Sequence, residues 1–249
     1  MKRKFGLIGF PLSHSFSRKF FTEKFANEGI NAVYLNFELE NIGELSHLIS
    51  THPDLEGFNV TIPYKEQIIS YLDQIDESAA QIQAVNTVKL SRFDRRISFH
   101  GYNTDIHGFQ KSIKPLLQKY HHKALVLGTG GASKAVIKAL ENLGIDAILV
   151  SRNPEEKGEI SYTDLDEDIM DSYKIVINTT PIGTFPNIDG CPAIPFEWIT
   201  SKHLLFDLVY NPEVTEFLKQ GRERGATIKN GLEMLHLQAL AAWEIWNRE

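Results

Sequence analysis

The sequence predicts an α/β fold divided into two domains, and three observations carry that expectation. Short apolar runs alternate with stretches of helical spacing along the whole chain. The alternation starts afresh at Ala124-Leu125-Val126-Leu127. A length of 249 residues accommodates one large domain or two of ordinary size.

Residues 5–9, Phe5-Gly6-Leu7-Ile8-Gly9, read as the first strand. With Met1-Lys2-Arg3-Lys4 ahead of it, the run superficially resembles a signal peptide. Pro11, Ser13 and His14 interrupt it, however, and no small-residue cleavage site follows, so a short buried strand is the better reading. Phe20, Phe21 and Phe25 give residues 16–28 helical spacing. Val33-Tyr34-Leu35-Asn36-Phe37 alternates as a strand does, and residues 42–49 read as a helix. Gly57-Phe58-Asn59-Val60-Thr61 is a short strand stopped by Pro63, and residues 65–75 read as helical. Residues 85–90 and 96–102, separated by a charged turn, have the pattern of a hairpin.

The second half begins with the strand 124–127 and a helix over 132–142. Further strands are expected at 147–150, 174–178 and 204–208, and residues 232–248 form a helix rich in Leu, Ala and Trp. These strand runs show little polar alternation, as expected of parallel strands covered on both faces. One domain is expected over residues 1–103, with the last helix, about 232–249, packing back on it; the other covers 104–231. The cleft between them is where a site is expected.

A net charge of −6 and the lack of a large Lys/Arg cluster argue against nucleic-acid binding. No stretch of the sequence reaches the ~18 apolar residues of a membrane span. The single cysteine, Cys191, excludes an internal disulfide and fits a reducing compartment, so the expected location is the cytoplasm. It has no metal-ligand neighbours, and no metal is expected.

Gly128-Thr129-Gly130-Gly131-Ala132-Ser133 follows an apolar run directly and opens a helical pattern. Gly128 allows a tight turn, Gly130 lets backbone approach a pyrophosphate, and the first N–H groups of the helix face the anion. Ser133 stands at the third glycine position; the plain alternative is a tight strand–helix turn. About 20 residues beyond the glycines, a carboxylate for the ribose hydroxyl of NAD is the usual feature. This chain has Ser151-Arg152-Asn153 there, and the planar fork of Arg152 suits a 2′-phosphate, which favours NADP over NAD.

Further polar clusters close other predicted strands. His14-Ser15-Phe16-Ser17 reads equally as helix capping or as a grip on a carboxylate. Lys65, Asn86-Thr87 and Asn103-Thr104-Asp105 read as surface or turn chemistry one by one. Together they lie where an α/β sheet presents ligand-contacting groups. A lysine and a carboxylate that meet in a polar site pass a proton, and with a nicotinamide they describe alcohol–ketone redox.

These residues, with their neighbours, resemble the shikimate dehydrogenase family over essentially the whole chain. The motifs run from Gly9-Phe10-Pro11-Leu12-Ser13-His14-Ser15-Phe16-Ser17 through Asn59-Val60-Thr61-Ile62-Pro63-Tyr64-Lys65, Ala84-Val85-Asn86-Thr87 and Asn103-Thr104-Asp105. They continue with the glycine turn, Asn178-Thr179-Thr180-Pro181-Ile182-Gly183, Asp207-Leu208-Val209-Tyr210, and Gly231-Leu232-Glu233-Met234-Leu235 with Gln238. The resemblance implies a mixed-sheet substrate domain joined to a Rossmann-like NADP domain, and reversible NADP-dependent reduction of 3-dehydroshikimate to shikimate by a monomer or homodimer. It implies Lys65 and Asp105 as the catalytic pair, Ser15 and Ser17 at the substrate carboxylate, and Asn59, Thr61, Asn86, Tyr210 and Gln238 at its hydroxyls. It further implies cofactor contacts from Gly128, Gly130, Gly131, Ala132, Ser133, Ser151, Arg152, Asn153, Thr179, Leu208, Gly231 and Glu77. One alternative is a shikimate/quinate dehydrogenase paralogue using NAD; another, from a different class, is a nucleotide-sensing protein that has lost catalysis, which would keep the glycine turn but lose the catalytic pair. Three departures stand out: Arg18 replaces a usual proline, the segment between Arg152 and Tyr162 is short for a full helix, and Glu233 replaces an often small residue.

Overall fold

The computed structural model describes residues 2–12, 16–94, 96–154 and 158–248. It divides into two units, Met1–Thr104 with Gln238–Glu249, and Asp105–Leu237. In the first unit the elements are β1 (Arg3–Gly9), α1 (Phe16–Asn27), β2 (Ala32–Glu38), α2 (Leu45–Thr51) and β3 (Leu55–Val60). β4 (Gln74–Ile75), α3 (Glu77–Ile82), β5 (Thr87–Phe93) and β6 (Arg96–Tyr102) follow. Among the described residues they form a six-stranded sheet in the order β2-β1-β3-β5-β6-β4. β1 pairs in parallel with β2 and β3, whereas β5 runs antiparallel to β3 and to β6, so the sheet is mixed.

The two-residue period of the strands sorts their side chains onto two cores. Phe5, Leu7 and Tyr34 join one cluster, with Phe21 and Phe25 of α1. Ile8 and Phe37 join the other, with Leu45 and Leu48 of α2. The last helix, α8 (Leu232–Asn247), contributes Ala239, Ala242, Ile245 and Trp246 to the first cluster. Trp246 stacks on Phe5 at 4.8 Å, and its indole N–H donates to the Val88 carbonyl at 3.0 Å. Gly57 is obligatory beneath it, since an added Cβ would lie 2.4 Å from the indole ring. Truncating Trp246 to alanine costs about 3–5 kcal/mol on the usual scale for a buried aromatic.

The second unit contains α4 (Thr104–Ile113) from Asp105 onward, then β7 (Lys123–Leu127), α5 (Gly131–Asn142), β8 (Asp146–Ser151) and β9 (Glu159–Ser161). α6 (Glu167–Ser172), β10 (Ile175–Asn178), β11 (Leu204–Asp207), α7 (Glu216–Glu223) and β12 (Thr227–Lys229) complete it. The strands are all parallel, in the order β12-β11-β10-β7-β8-β9. Chain order reverses between β7 and β10, and ligands of open α/β sheets bind at the strand ends beside such a switch point. Only residues 152–158 separate β8 from β9, far fewer than the dozen or more of an ordinary parallel crossover.

One expectation is overturned. Residues 65–75 are not a helix: a single 3₁₀ turn spans Gln67–Tyr71, and the chain then extends into β4. Tertiary pairing wins over local pattern, because Asp73 bonds Phe99 through both its N–H and its carboxylate, and β4 pairs with β6.

Candidate active site

In the first unit, the carboxyl ends of β1, β3 and β6 and the amino end of β5 share one edge of the sheet, because β5 alone runs against the others. Several candidate substrate residues therefore converge there. Ser15 lies outside the described residues. Ser17 is half-buried in the first turn of α1.

A chain of buried polar groups begins at Tyr34. Its phenol donates to Asn59 Oδ1 at 2.8 Å. Asn59 Nδ2 donates to the Asn86 carbonyl at 3.2 Å and to Thr87 Oγ1 at 3.0 Å. Asn86 Oδ1 accepts from the Thr104 N–H at 2.7 Å and from the Thr87 hydroxyl at 3.1 Å. With both lone pairs of that oxygen taken, the single Thr104 proton is left for Gln238 Oε1 at 3.3 Å. Asn59, Asn86, Thr87, Thr104 and Gln238 are each 8% exposed or less, so these bonds replace water rather than compete with it. The oxygens of both Asn86 and Gln238 thus face inward. Their amide N–H groups have no bonding partner among the described residues and remain as donors for a ligand.

Lys65 is half-buried and held at its backbone. Its carbonyl accepts from the Val85 N–H at 2.8 Å, and the preceding Tyr64 is buried with its hydroxyl on the Leu39 carbonyl. Thr61, also half-buried, lies at the end of β3, where its N–H bonds the Ile8 carbonyl. Glu77 is exposed in the first turn of α3, and its carboxylate accepts from Gln81 Nε2 at 3.3 Å.

In the second unit, β7 ends at the glycine turn. Gly128 has φ +100°, and an added Cβ would lie 2.8 Å from Thr180 Cγ2. Across the switch point Thr179 donates both its N–H, at 3.0 Å, and its hydroxyl, at 2.7 Å, to the Leu127 carbonyl. Gly130 and Gly131 are exposed with open space where a Cβ would stand, so an anion can approach the backbone. Half-buried Ala132 continues the first turn of α5. Ser133 is buried and donates to the Gly130 carbonyl at 2.6 Å, which explains a serine at the third glycine position. No side chain caps the start of α5, leaving its first N–H groups for a ligand.

Beyond β8, Ser151 Oγ closes a small turn by accepting from the Asn153 N–H at 3.2 Å. Arg152 and Asn153 are exposed, and Arg152 makes no ion pair with the described residues. These groups fit a phosphorylated dinucleotide: an open backbone for the pyrophosphate and an exposed guanidinium for a 2′-phosphate.

Behind the turn lies a side-chain network centred on Asp207. This fully buried carboxylate accepts from Asn178 Nδ2 at 2.9 Å, the Val209 N–H at 3.0 Å and the Thr215 hydroxyl at 2.6 Å. Burial nevertheless pushes its pKa up to about 6, these bonds only partly opposing the shift. The network fixes Leu208, which is half-buried. Gly231 packs so tightly that an added Cβ would lie 2.1 Å from the Leu208 carbonyl oxygen. Glu233 forms an ion pair with Lys229. Asp105 is half-buried in the first turn of α4, and Tyr210 is 37% exposed after β11.

Sequence reasoning passed over Tyr34, Thr87, Thr104, Asn178 and Asp207 as working parts of these sites. The threonines and Asn178 had a usable signal, since each adjoins or belongs to a motif already singled out. Tyr34 had none, because a tyrosine in an alternating strand reads as core.

The signature of the shikimate dehydrogenase substrate binding domain matches residues 7–88. A shikimate dehydrogenase (NADP(+)) of Aquifex aeolicus is 39% identical over 253 residues, covering 98% of this chain and 90% of that protein. The solved chorismate mutase/shikimate 5-dehydrogenase fusion protein of Clostridium acetobutylicum matches with TM-score 0.86 at 37% identity, over 99% of this chain and 92% of the other. Quinate dehydrogenase of Corynebacterium glutamicum, solved with NAD, matches with TM-score 0.86 at 26% identity, over 99% and 94%. With full-length relatives at this identity, and with the strand edge and glycine turn built as described, the chain belongs to the shikimate dehydrogenase family.

Proposed function

We propose that this chain catalyses the reversible NADP-dependent reduction of 3-dehydroshikimate to shikimate, as a monomer or homodimer in the cytoplasm. The observation that carries the reading is the pair of buried amides, Asn86 and Gln238, whose oxygens are spent inward and whose N–H groups remain as donors at the edge that also bears Lys65. Such donors suit the oxygens of a small polyhydroxylated acid. Ser15 and Ser17 take the ring carboxylate, and Thr61 and Tyr210 contribute to its hydroxyls. Asn59 acts behind them by holding Asn86 and Thr87. Bound NADPH supplies the hydride. Lys65 gives the proton that the developing alkoxide requires, and Asp105 is the carboxylate of the catalytic pair, accepting the neighbouring substrate hydroxyl.

On the cofactor side, the open glycines, the uncapped start of α5 and Arg152 support NADP, with Thr179, Leu208 and Gly231 shaping the nicotinamide end. Glu77 is the outlying member of the proposed set. The absence of a carboxylate at the end of β8 disfavours the NAD reading. Initial rates measured at the nicotinamide absorbance band, with shikimate or quinate and with NADP+ or NAD+, test the proposal. Shikimate with NADP+ is expected to give the highest kcat/KM. Preferred turnover of quinate with NAD+ would replace it with the quinate reading, and no turnover of any pair would remove the enzyme assignment.

A further inference from the structure

Asn178 closes β10, and Asp207 stands beside it at the end of β11 in the parallel register. Both are 0% exposed. Every polar atom of the Asn178 amide is spent within the protein. Its Oδ1 accepts from the Thr180 N–H at 3.0 Å and from the Thr180 hydroxyl at 2.6 Å. Its Nδ2 donates to Asp207 Oδ1 at 2.9 Å and to the Ile182 carbonyl at 3.4 Å. We propose that Asn178 is a positioning residue for the cofactor. It locks Thr180, which underlies the glycine turn, to the backbone that Asp207 braces at Leu208, and so fixes the spacing between the pyrophosphate end and the nicotinamide end of NADP. This inference rests on the cofactor contacts proposed above.

Proton counting leaves the amide one orientation. The Thr180 N–H can only donate, so Oδ1 must face Thr180 and Nδ2 must face Asp207. The Thr180 hydroxyl gives its one proton to Asn178 and accepts from the Ile182 N–H at 3.3 Å. On one side of the link, Thr180 Cγ2 lies against the turn, since a Cβ added to Gly128 would meet it at 2.8 Å. On the other side, the Asn178 carbonyl accepts from the Leu208 N–H at 2.9 Å, and Asp207 Oδ1 accepts from the Val209 N–H at 3.0 Å. The Val209 carbonyl in turn accepts from the Gly231 N–H at 3.2 Å. Unlike Asn86 and Gln238, Asn178 keeps no donor for a ligand, so its effect on binding passes through the two turns it joins.

Calorimetric titrations of the wild type and Asn178→Ala with NADP+ and with adenosine 2′,5′-bisphosphate test the inference. The bisphosphate carries the 2′-phosphate and a phosphate for the glycine turn but no nicotinamide, so it does not span the two turns. Asn178→Ala is expected to raise the NADP+ Kd about tenfold, the scale of one lost hydrogen bond, and to leave the bisphosphate Kd within about twofold of wild type. Thr180→Val keeps the methyl group against Gly128 and cuts only the hydroxyl bond to Asn178. It should raise the NADP+ Kd by a smaller factor, and the two substitutions together should give less than the product of their separate effects. Equal weakening of both ligands, a lowered Tm with an unchanged NADP+ Kd, or fully multiplicative effects would overturn the inference and leave Asn178 a core residue. If the bisphosphate does not bind the wild type, the cofactor reading itself fails, and this inference with it. Should Asn178→Ala not fold, Thr180→Val alone decides: a raised NADP+ Kd with an unchanged bisphosphate Kd upholds the link, and any other pattern overturns it.

Discussion

In the mixed sheet, the amides proposed to read the substrate, Asn86 and Gln238, belong to a chain of amides and hydroxyls 8% exposed or less, bonded one to the next from Asn59 to Gln238. In the parallel sheet, the groups proposed to read the cofactor are exposed backbone at Gly130 and Gly131 and the exposed guanidinium of Arg152. The first arrangement rejects a wrong ligand by leaving buried polar groups unpaired, a penalty of about 1–3 kcal/mol each. The second grips anionic features common to every dinucleotide, and selects among them with one long side chain. Substrate discrimination is thus built into a rigid network, whereas cofactor discrimination hangs on a replaceable contact.

The largest effect is expected at the chemical step rather than in either recognition scheme. Lys65→Ala should lower kcat by about 10²–10⁴-fold, with the shikimate KM changed far less. Equal losses in turnover and binding, measured by steady-state rates and direct titration, would make Lys65 a docking residue and sharpen the mixed sheet into a purely binding surface.

The parallel sheet has a buried network too, but it supports the backbone instead of facing the ligand, and pH exposes it. Asp207 titrates near 6 when folded and near 3.8 otherwise, so the folded state binds more protons between those values. Stability therefore falls as pH rises through that window, by up to about 3 kcal/mol at completion. Asp207→Asn lacks this slope. Urea midpoints from pH 4 to pH 7 should show the wild type losing ground steadily to the variant, and a constant difference would mean that the carboxyl titrates normally.

Arg152→Ala comes next. Removing a charge-assisted pair to the 2′-phosphate should weaken NADP+ by about 1.5–3 kcal/mol, roughly 10- to 150-fold in Kd, and leave NAD+ nearly untouched. An unchanged NADP+/NAD+ ratio would place the selectivity elsewhere in the short link between β8 and β9. The smallest effect belongs to Gln238→Ala. Thr104 Oγ1 keeps Thr87 Oγ1 within 3.2 Å as an alternative acceptor, so Tm should hardly move. The shikimate KM should rise by about 2- to 10-fold. A large loss of Tm with normal kinetics would show a structural amide.

What was legible in the sequence follows from the range of the interactions involved. Local periodicity revealed the long strands and helices, and the glycine turn announced itself because Gly128 needs a conformation that few other residues adopt. β9 and β12, three residues each, are too short to show a period. Residues 65–75 misled because their extended ending is imposed by Phe99, 26 residues from Asp73. The Tyr34 phenol finds Asn59 at a separation of 25 residues, and nothing nearby marks the tyrosine as more than core. The motifs pointed to the residues at the ligand, and the groups that hold those residues emerged only from the packing.

The division of labour between the two sheets is tested most directly by crossed titrations. Gln238→Ala and Arg152→Ala are each titrated calorimetrically with shikimate and with NADP+. The expected pattern is reciprocal: Gln238→Ala weakens shikimate and leaves the NADP+ Kd within twofold of wild type, while Arg152→Ala does the reverse, at the scale of a single lost hydrogen bond or more. Parallel losses of both ligands in either variant would contradict the account.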